Sequence, residues 1–285
     1  MSLLNVCIVP FVLSSTTFSF CSPLFSVLED RIWRHDFWSD VTINKTRILK
    51  DSVITTATNG IIDHQKTLEH TLRKNGKWSG RFHIETNKSK GNSSFHSSRD
   101  AKFSSFKTVF SHGFSRALYV DADVLIMKPI LKSVIAQFLD TTTKTWDDRC
   151  DIYVQRPSSN GYILNSGIIV ADNKRSVNIT ERWRHRVLTG KFTTDQEAFE
   201  SLSLINGITS HRRNHLQSTY CYLPNDVEYI TSFNLNIKRH MPSLRNNICT
   251  FFHFKGKTQK MLLKDLCDKR AWPCDVFKNN IIVKS

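Results

Sequence analysis

The sequence predicts an α/β fold in which helices cover both faces of a mainly parallel sheet. Segments rich in apolar and β-branched residues alternate with segments whose apolar residues recur at helical spacing along most of the 285-residue chain. Such alternation is typical of parallel sheets, because each crossover helix carries the chain back to begin the next strand in the same direction. A chain of this length is sufficient for one large domain with a substantial core.

The elements of the first half follow in order from local patterns. A β-branched run predicts a strand at 52–57, and Thr58-Asn59-Gly60 after it is a turn signal. Ile61, Leu68 and Leu72 share one helical face and predict a helix that ends near Asn75-Gly76. The remaining elements of this half are a strand at 81–85, a polar loop at 87–98, a helix carrying Phe103, Phe106, Val109 and Phe110, and a strand that begins at Ala117.

The second half continues the alternation. Ile130, Val134, Ile135 and Phe138 lie on one face of a predicted amphipathic helix. The further predicted elements are strands at 151–155 and 163–171 and helices around 180–188 and 195–205. The chain beyond about residue 207 is less periodic, and we expect it to wrap around the sheet edge and the functional site.

The N-terminal 28 residues contain no charged side chain, and Glu29 is the first ionisable one. An apolar run followed by the small residues Ser19 and Cys21 predicts a signal peptide or signal anchor over 1–28. A buried N-terminal hairpin is the alternative. We therefore divide the chain into this segment, a short stem or lead-in at 29–50, and a globular domain at 51–285.

Sequons and cysteines favour a secretory route. The N-x-S/T sequons begin at Asn44, Asn87, Asn92 and Asn178, and four of them behind an apolar leader indicate entry into the secretory pathway. Five cysteines follow the leader, so at most two disulfides form within the domain and one thiol is left over. The sequence leaves their pairing open.

The chain is strongly basic, with a net charge of +15 and a pI near 9.6. Such a charge favours anionic partners. The lysines and arginines are scattered, however, and no nucleic-acid-binding motif accompanies them. We interpret most of them as a solvated basic surface and expect no nucleic-acid partner.

The most informative stretch is the strand beginning at Ala117, which leads directly into Asp121 and Asp123. In an extended backbone residues i and i+2 point to the same face, so the two carboxylates can converge on one point. Two hard oxygen ligands at the C-terminal end of a buried strand suit Mg²⁺ or Mn²⁺ that also holds a phosphorylated ligand. The alternative interpretation is a solvated turn.

Four motifs then occur in one order. They are Tyr119-Val120-Asp121-Ala122-Asp123, Leu164-Asn165-Ser166-Gly167-Ile168-Ile169-Val170, Thr194-Asp195-Gln196 and His253-Phe254-Lys255-Gly256. Over about residues 50 to 262 this set resembles the nucleotide-sugar transferases of glycosyltransferase family 8 and their relatives. The resemblance implies a GT-A fold, which is a Rossmann-type three-layer domain, and makes 51–285 the catalytic domain.

The resemblance also implies a role for each motif. Asp121, Asp123 and His253 would hold Mn²⁺ (or Mg²⁺), and an imidazole ligand favours Mn²⁺. The sugar donor would contact Asn165, Ser166 and Gly167, and the diphosphate would meet the metal at Asp121. Catalytic contacts to the donor sugar would come from Asp195 and Gln196, although Asp195 at a predicted helix start is alternatively only an N-cap.

The implied reaction is transfer of a sugar, with retention, from a nucleotide sugar that is usually a UDP-sugar. The acceptor would be a glycan or a protein. The enzyme would reside in the Golgi lumen, either anchored to the membrane or soluble. One departure concerns the family's phosphate-binding lysine, because Gln259 occupies that position. Lys257 or Lys260 would then supply the positive charge.

Two other functions compete with this one. Asp121 and Asp123 after a strand also resemble the haloacid dehalogenase-type phosphatases, where Asp121 would be the nucleophile. Those enzymes need a later acidic pair for Mg²⁺, and Asp147-Asp148 follows too closely. The altered lysine motif leaves a catalytically inert binding module with a transferase fold as the third hypothesis.

Overall fold

The computed structural model describes residues 42–58, 62–86, 94–156, 164–202, 204–206, 218–224, 227–230 and 250–254. All of them belong to one compact unit, Asp40–Ser285. The predicted leader at 1–28 lies outside these residues, as do Asn87, Asn92, Lys257 and Lys260. Within the described ranges, none of the helices is both long and apolar enough to cross a bilayer.

Helices and strands alternate through the described part of the chain, as the sequence predicts. The helices are α1 (Lys45–Asp51), α2 (Ile62–Lys74), α3 (Ser94–Ser111), α4 (Ile135–Leu139), α5 (Val177–Thr189) and α6 (Asp195–Glu200), with a 3₁₀ helix at Ile130–Lys132. The strands are β1 (Ser52–Thr58), β2 (Arg81–Thr86), β3 (Arg116–Val120), β4 (Val124–Ile126), β5 (Ile152–Gln155), β6 (Asn165–Asp172), β7 (Ile205–Asn206), β8 (Thr219–Tyr222), β9 (Val227–Ile230) and β10 (Phe251–Phe254).

The main sheet has the strand order β2-β1-β3-β6-β5-β8-β7. Six of these strands run in one direction, and β6 runs antiparallel to its neighbours β3 and β5. The prediction of a mainly parallel sheet is therefore confirmed. The reversed strand positions the site, because the N-terminal end of β6, where Asn165 lies, is brought beside the C-terminal end of β3.

The core lies on both faces of this sheet, since every residue of β3 and β6 is buried. On one face the strands pack against α3, α5 and α6 in a continuous apolar cluster. Its larger members include Tyr119, Phe103, Phe106, Trp183 and Phe199. Leu118 and Val120 alternate to the other face and are fully buried as well. The central strands are thus a rigid platform for the side chains at their ends.

A second, smaller sheet has the order β4-β10-β9. β4 follows shortly after β3, and β10 pairs with it antiparallel, so that His253 lies opposite Val124. The N–H of Met127 donates to the carbonyl of Thr250 at 2.8 Å and closes this pairing. A residue from the C-terminal part of the chain is in this way delivered beside the aspartates that follow β3.

Helix α1 is tied to the domain at its start. The side chain of Asn44 accepts a hydrogen bond from the N–H of Arg47 at 3.0 Å and so caps the helix. The N–H of Asn44 donates to Asp140 at 2.6 Å, and Asp140 also accepts from the N–H and hydroxyl of Thr142. Ile48 is buried beneath the helix. Residues 45–50 of the predicted stem are therefore packed onto the domain as a helix.

Three predicted elements were wrong in extent. The loop predicted at 87–98 gives way to α3 at Ser94, because packing of the apolar second half of α3 outweighs the polar composition of its start. The helix predicted around 130–138 is broken at Ser133, whose hydroxyl donates to the carbonyl of Ile130 at 2.8 Å. The helix predicted at 195–205 ends at Glu200, and Ile205 instead pairs with Thr219 in the sheet.

Beyond about residue 207, where we expected a segment wrapped around the sheet edge and the site, the described residues form strands. Strand β8 lies within the main sheet between β5 and β7, and β9 and β10 build the second sheet. A disulfide joins Cys150, just before β5, to Cys221 of β8, with their Cα atoms 5.7 Å apart. The sequence left the pairing of the five cysteines after the leader open, and this disulfide assigns two of them.

Candidate active site

Asp121 and Asp123 lie where β3 ends, as predicted, but in a turn rather than an extended chain. The N–H of Val124 donates to the carbonyl of Asp121 at 3.1 Å and closes the turn. The N–H of Asp121 donates to the carbonyl of Gly167 at 2.8 Å and holds the turn against β6. Both carboxylates are about one-quarter exposed. The turn, rather than strand alternation, makes the two side chains converge.

His253 completes a three-residue group with these aspartates. Its Nε2 lies 3.1 Å from Asp123 Oδ1 and 3.9 Å from Asp121 Oδ2. One ligand atom from each of the three residues lies within 4.8 Å of the others. Two carboxylates and an imidazole are a suitable donor set for a divalent cation such as Mn²⁺. The structure thus brings together the three residues that the sequence predicted as ligands.

Gly167 makes room for the imidazole. A Cβ atom at this position would overlap the ring of His253, so a larger residue would displace the histidine. The N–H of Gly167 donates to the side-chain carbonyl of Asn165 at 2.8 Å, which fixes the amide of that buried asparagine. Gly167, which the resemblance placed beside the sugar donor, is therefore required by the histidine itself.

Lys102 is a site residue that the sequence analysis missed. Its side chain is buried, and its Nζ donates to Asp195 Oδ2 at 2.7 Å and to the carbonyl and hydroxyl of Ser166 at 3.0 and 3.1 Å. The same nitrogen lies 3.3 Å from Asp121 Oδ1. Burial lowers the pKa of Lys102, but the two carboxylates outweigh that effect and raise the pKa above its ordinary value. The lysine is therefore a fixed positive charge at neutral pH.

A signal for Lys102 was present in the sequence. Lys102 precedes Phe106 by four positions and Val109 by seven, which is the spacing of one helical face. A lysine on the buried face of an amphipathic helix is rarely tolerated without a charged partner. Its position in the pattern could have indicated a buried ion pair, although not the identity of the partners.

Tyr119 also holds Asp121 in place. Its hydroxyl donates to Asp121 Oδ1 at 2.8 Å, and its ring lies under the Lys102 ammonium, 5.0 Å from the ring centre. Burial and the nearby carboxylate raise the pKa of Tyr119 well above its usual range, so the hydroxyl stays protonated and remains a donor. One oxygen of Asp121 is thus engaged by the protein, and the other points towards His253.

The two residues predicted to contact a sugar lie at the start of α6. Thr194, and not Asp195, is the N-cap of this helix, in a capping box with Glu197. The simple helix-cap interpretation of Asp195 is therefore wrong. Its carboxylate instead meets Lys102, while its carbonyl accepts from the indole N–H of Trp183 at 2.7 Å.

Gln196 is buried beside the start of β6. Its side-chain NH₂ donates to the carbonyl of Leu164 at 3.1 Å, directly before Asn165 and Ser166. A polar path thus runs from Asp121 through Lys102 to Asp195 at the start of α6, and Lys102 also bonds to Ser166. The described parts of three predicted motifs, together with His253, are brought into one region at the C-terminal end of β3.

The acidic pair considered for a phosphatase lies apart from this region. Asp147 bonds to Arg149, and Asp148, whose side chain is 87% exposed, bonds to Arg175. Neither residue belongs to the metal-ligand group found among the described residues.

Comparisons with known proteins give structural similarity only. No family model matches the chain, and no curated protein matches it in sequence. The solved structures similar to it include a glycosyltransferase involved in glycosylation of the major capsid of PBCV-1, which is 13% identical with a TM-score of 0.47. The match covers 77% of this chain and 98% of that one.

Two other similar structures are the galactosyltransferase LgtC, solved with donor and acceptor sugar analogs, and GlyE of Streptococcus pneumoniae TIGR4. LgtC is 12% identical with a TM-score of 0.46, and the match covers 82% of this chain and 98% of that one. GlyE is 11% identical with a TM-score of 0.46, and the match covers 78% and 64% of the two chains. All three are named as glycosyltransferases, the class that the sequence motifs resemble. Since the TM-scores are below 0.5, the case for function comes from the contacts within the site.

Proposed function

We propose that this chain is a metal-dependent glycosyltransferase that moves a sugar from a nucleoside-diphosphate sugar to an acceptor hydroxyl. The observation that carries the proposal is the meeting of the Asp121–Asp123–His253 group with the Lys102–Asp195 ion pair at the end of β3. The first group offers ligands for a divalent cation, and the second offers a fixed carboxylate a short distance away. In the proposed reaction the first feature acts on the diphosphate and the second on the sugar of the same donor.

The proposed role of the cation ligands follows from the charge of the leaving group. When the bond to the donor sugar breaks, negative charge develops on the diphosphate and must be stabilised as it forms. A divalent cation bound by Asp121, Asp123 and His253 supplies that stabilisation electrostatically. The imidazole makes Mn²⁺ a better candidate than Mg²⁺. Lys257 and Lys260, which follow β10 in the chain, are proposed to add positive charge on the diphosphate side.

The carboxylate of Asp195 is proposed to stabilise the charge that develops on the donor sugar. A sugar that loses its leaving group gains oxocarbenium-like positive charge, which a nearby carboxylate or amide oxygen stabilises. The salt bridge to Lys102 fixes the orientation of Asp195. Gln196 and the Asn165-Ser166-Gly167 segment are proposed to line the donor sugar. Retention of anomeric configuration is part of the proposal by resemblance to family 8.

A UDP-sugar is the proposed donor and a glycan or protein is the proposed acceptor. The proposed compartment is the Golgi lumen, reached through the segment at 1–28. The Cys150–Cys221 disulfide supports an oxidising compartment. Asn44 and Asn178 are exposed, so glycans at these two sequons are compatible with the folded domain. Endoglycosidase treatment of the protein from a eukaryotic secretory host should lower its mass.

The two rival functions fit the site less well. A phosphatase nucleophile at Asp121 would need an acidic pair for its metal, whereas the described group is completed by an imidazole. An inert binding module would not require the buried Lys102–Asp195 pair beside intact metal ligands. Both rivals make different predictions in one assay.

The test is to measure thermal stability and turnover with a panel of nucleotide sugars and Mn²⁺. A true donor at 100 times its dissociation constant should stabilise the fold by about 2.7 kcal/mol. Slow Mn²⁺-dependent release of nucleoside diphosphate should follow even without an acceptor. Binding without any turnover would support the inert module, and hydrolysis of a simple phosphate ester would support the phosphatase.

A further inference from the structure

Strand β2 is one edge of the main sheet, and no strand lies beyond it among the described residues. Its middle residues are half-buried and its two ends are exposed. An edge strand presents N–H and C=O groups that can pair with another strand. Natural edges are usually protected by proline, by charged side chains or by a bulge. Arg81–Thr86 contains no proline and its register with β1 is unbroken, and its two charged residues, Arg81 and Glu85, are opposite in sign. Among the described residues, opposite charges on this edge are the feature that favours a second copy of the same strand as its partner.

We propose that two copies of this chain associate through antiparallel pairing of their β2 strands about a two-fold axis at His83. In this arrangement Arg81 lies opposite the partner's Glu85, and Phe82 lies opposite the partner's Ile84. His83 meets the partner's His83 on the axis. The strand is thus self-complementary in charge and in hydrophobicity, as a two-fold interface requires.

The two faces of β2 support this pairing. Glu85 and His83 lie on the face towards α3, because Glu85 Oε2 accepts from the hydroxyl of Thr108 at 3.1 Å and lies 2.9 Å from His83 Nε2. Arg81 shares that face by the two-residue period of a strand, whereas Phe82 and Ile84 point to the other. Each charged residue would therefore face a charged residue, and each apolar residue an apolar one.

Other registers lose the pairing of Arg81 with Glu85. A two-fold axis perpendicular to the sheet keeps the same face up in both copies, so the axis can pass only through a residue. An axis at Phe82 puts Arg81 opposite the partner's His83. An axis at Ile84 puts His83 opposite the partner's Glu85 but leaves Arg81 beyond the paired stretch. The axis at His83 is the register that pairs Arg81 with Glu85 on both sides.

Space beside β2 is available for a partner. Two open cavities, of about 460 and 410 Å³, lie between β2 and α3, and His83 borders both. They show that α3 does not fully cover this end of the sheet. The partner's Arg81 and the partner's Glu85 would lie next to these cavities, and Glu85 is already oriented there by its bonds to His83 and Thr108.

The first test is the oligomeric state of the full chain by sedimentation velocity at micromolar concentrations. The proposal predicts a species of about twice the 33.0 kDa chain mass. Arg81→Glu converts two attractive cross-strand pairs into repulsive ones and should raise the dimer dissociation constant about tenfold or more. The double exchange Arg81→Glu with Glu85→Arg restores opposite charges across the axis and should recover most of the affinity.

The control for charge is Lys191→Glu, an equal change at an exposed lysine outside β2, which should leave the dissociation constant unchanged. A monomeric wild-type chain would overturn the proposal and leave the edge to a segment of the same chain or to another partner. A dimer that is indifferent to Arg81→Glu, or that the double exchange does not recover, would place the interface elsewhere.

A crosslinking experiment tests the register separately from affinity. Residues directly opposite in an antiparallel pair have Cα atoms about 4.5–5.5 Å apart, within the range of a disulfide. His83→Cys should therefore give a disulfide-linked dimer on mild oxidation, seen on a non-reducing gel above the wild-type background. Thr86→Cys, three residues from the axis, should not. Crosslinking at 86 instead of 83 would refute the register.

Discussion

Replacing Lys102 by methionine removes a charge that meets both Asp121 of the metal-ligand group and Asp195. Methionine keeps the length of the side chain and its packing but cannot bond to Asp195 or to Ser166. The carboxylates of Asp121 and Asp195 would then face each other's charge without the ammonium between them. Their side chains are 27% and 18% exposed, so solvent screens them only in part.

The size of the effect follows from this partial burial. Removing one partner of a fully buried ion pair costs about 3–5 kcal/mol. Because both carboxylates keep some contact with water, we expect a loss of about 2–3 kcal/mol in the free energy of unfolding. In a domain of this size each kcal/mol corresponds to about 2–4 °C. The melting temperature of Lys102→Met should therefore fall by roughly 5–10 °C.

The same variant should respond differently to Mn²⁺. Lys102 lies 3.3 Å from Asp121 Oδ1 and repels a cation bound at that carboxylate. Without the lysine, a cation can neutralise Asp121, so Mn²⁺ should restore part of the lost stability and bind at least as tightly as in wild type. Turnover should still fall, because Asp195 has lost its fixed orientation. Loss of stability and turnover with retained metal affinity is the expected pattern.

The assay is thermal unfolding with and without Mn²⁺, together with direct Mn²⁺ titration and nucleoside diphosphate release. Lys107→Met is the matched control, because Lys107 lies on the same helix and is exposed. It should change stability by less than about 0.5 kcal/mol. Equal effects of the two substitutions would refute the assignment of Lys102 as a shared counter-charge. So would a Lys102→Met protein that Mn²⁺ fails to stabilise.

Three further predictions concern the packing of His253, the proposed catalytic role of Asp195 and the hydrogen bonds of Asp140. Gly167→Ala should displace the His253 ring and weaken Mn²⁺ binding in a calorimetric titration, and unchanged affinity would contradict the close packing seen there. Asp195→Asn should lower turnover strongly while leaving affinity for nucleoside diphosphate and Mn²⁺ nearly unchanged, and wild-type turnover would exclude its catalytic role. Burial raises the pKa of Asp140, but hydrogen bonds from Thr142 and Asn44 outweigh it and lower the pKa below its ordinary 3.8. A depressed pKa contributes stability above the unfolded-state pKa that is lost as the pH falls through the folded-state pKa, so Asp140→Asn should destabilise by about 1–3 kcal/mol at pH 7. The gap from wild type should close in unfolding curves below about pH 4, and a gap independent of pH would contradict this reasoning.

Much of the fold could be predicted because local patterns and tertiary packing agree in the central strands. β1 and β3 combine β-branched or apolar runs with flanking turn signals, and both lie where the sequence predicted. The predictions failed where packing overrides composition. The Ser-rich start of α3 is helical, and Ile205 pairs in a strand although its spacing fitted a helix.

The metal ligands could be predicted from the sequence, but their arrangement could not. Asp121 and Asp123 were recognisable as a pair, yet they converge through a turn that the N–H of Val124 closes. The approach of His253 depends on pairing between β4 and β10, which are separated by more than a hundred residues in sequence. Such long-range pairing leaves little trace in local periodicity.

The partners of Lys102 could not be predicted from the sequence either. Its place on the buried face of α3 was visible, but its partners come from β6 and α6. The alternation of strands and helices predicted no reversed strand. The reversed direction of β6 nevertheless brings Ser166 to Lys102. Long-range geometry, rather than residue type, decided which polar side chains form the site.

Direct titration of Mn²⁺ and a nucleoside diphosphate into wild type and Asp123→Ala tests the central claim most directly. Asp123→Ala removes a charged ligand 3.1 Å from His253 Nε2. It should abolish Mn²⁺-dependent nucleotide binding and turnover, whereas Asp148→Ala, at an exposed carboxylate, should leave both unchanged. Near-normal Mn²⁺-dependent binding and turnover in Asp123→Ala would contradict the assignment of this group as the metal site.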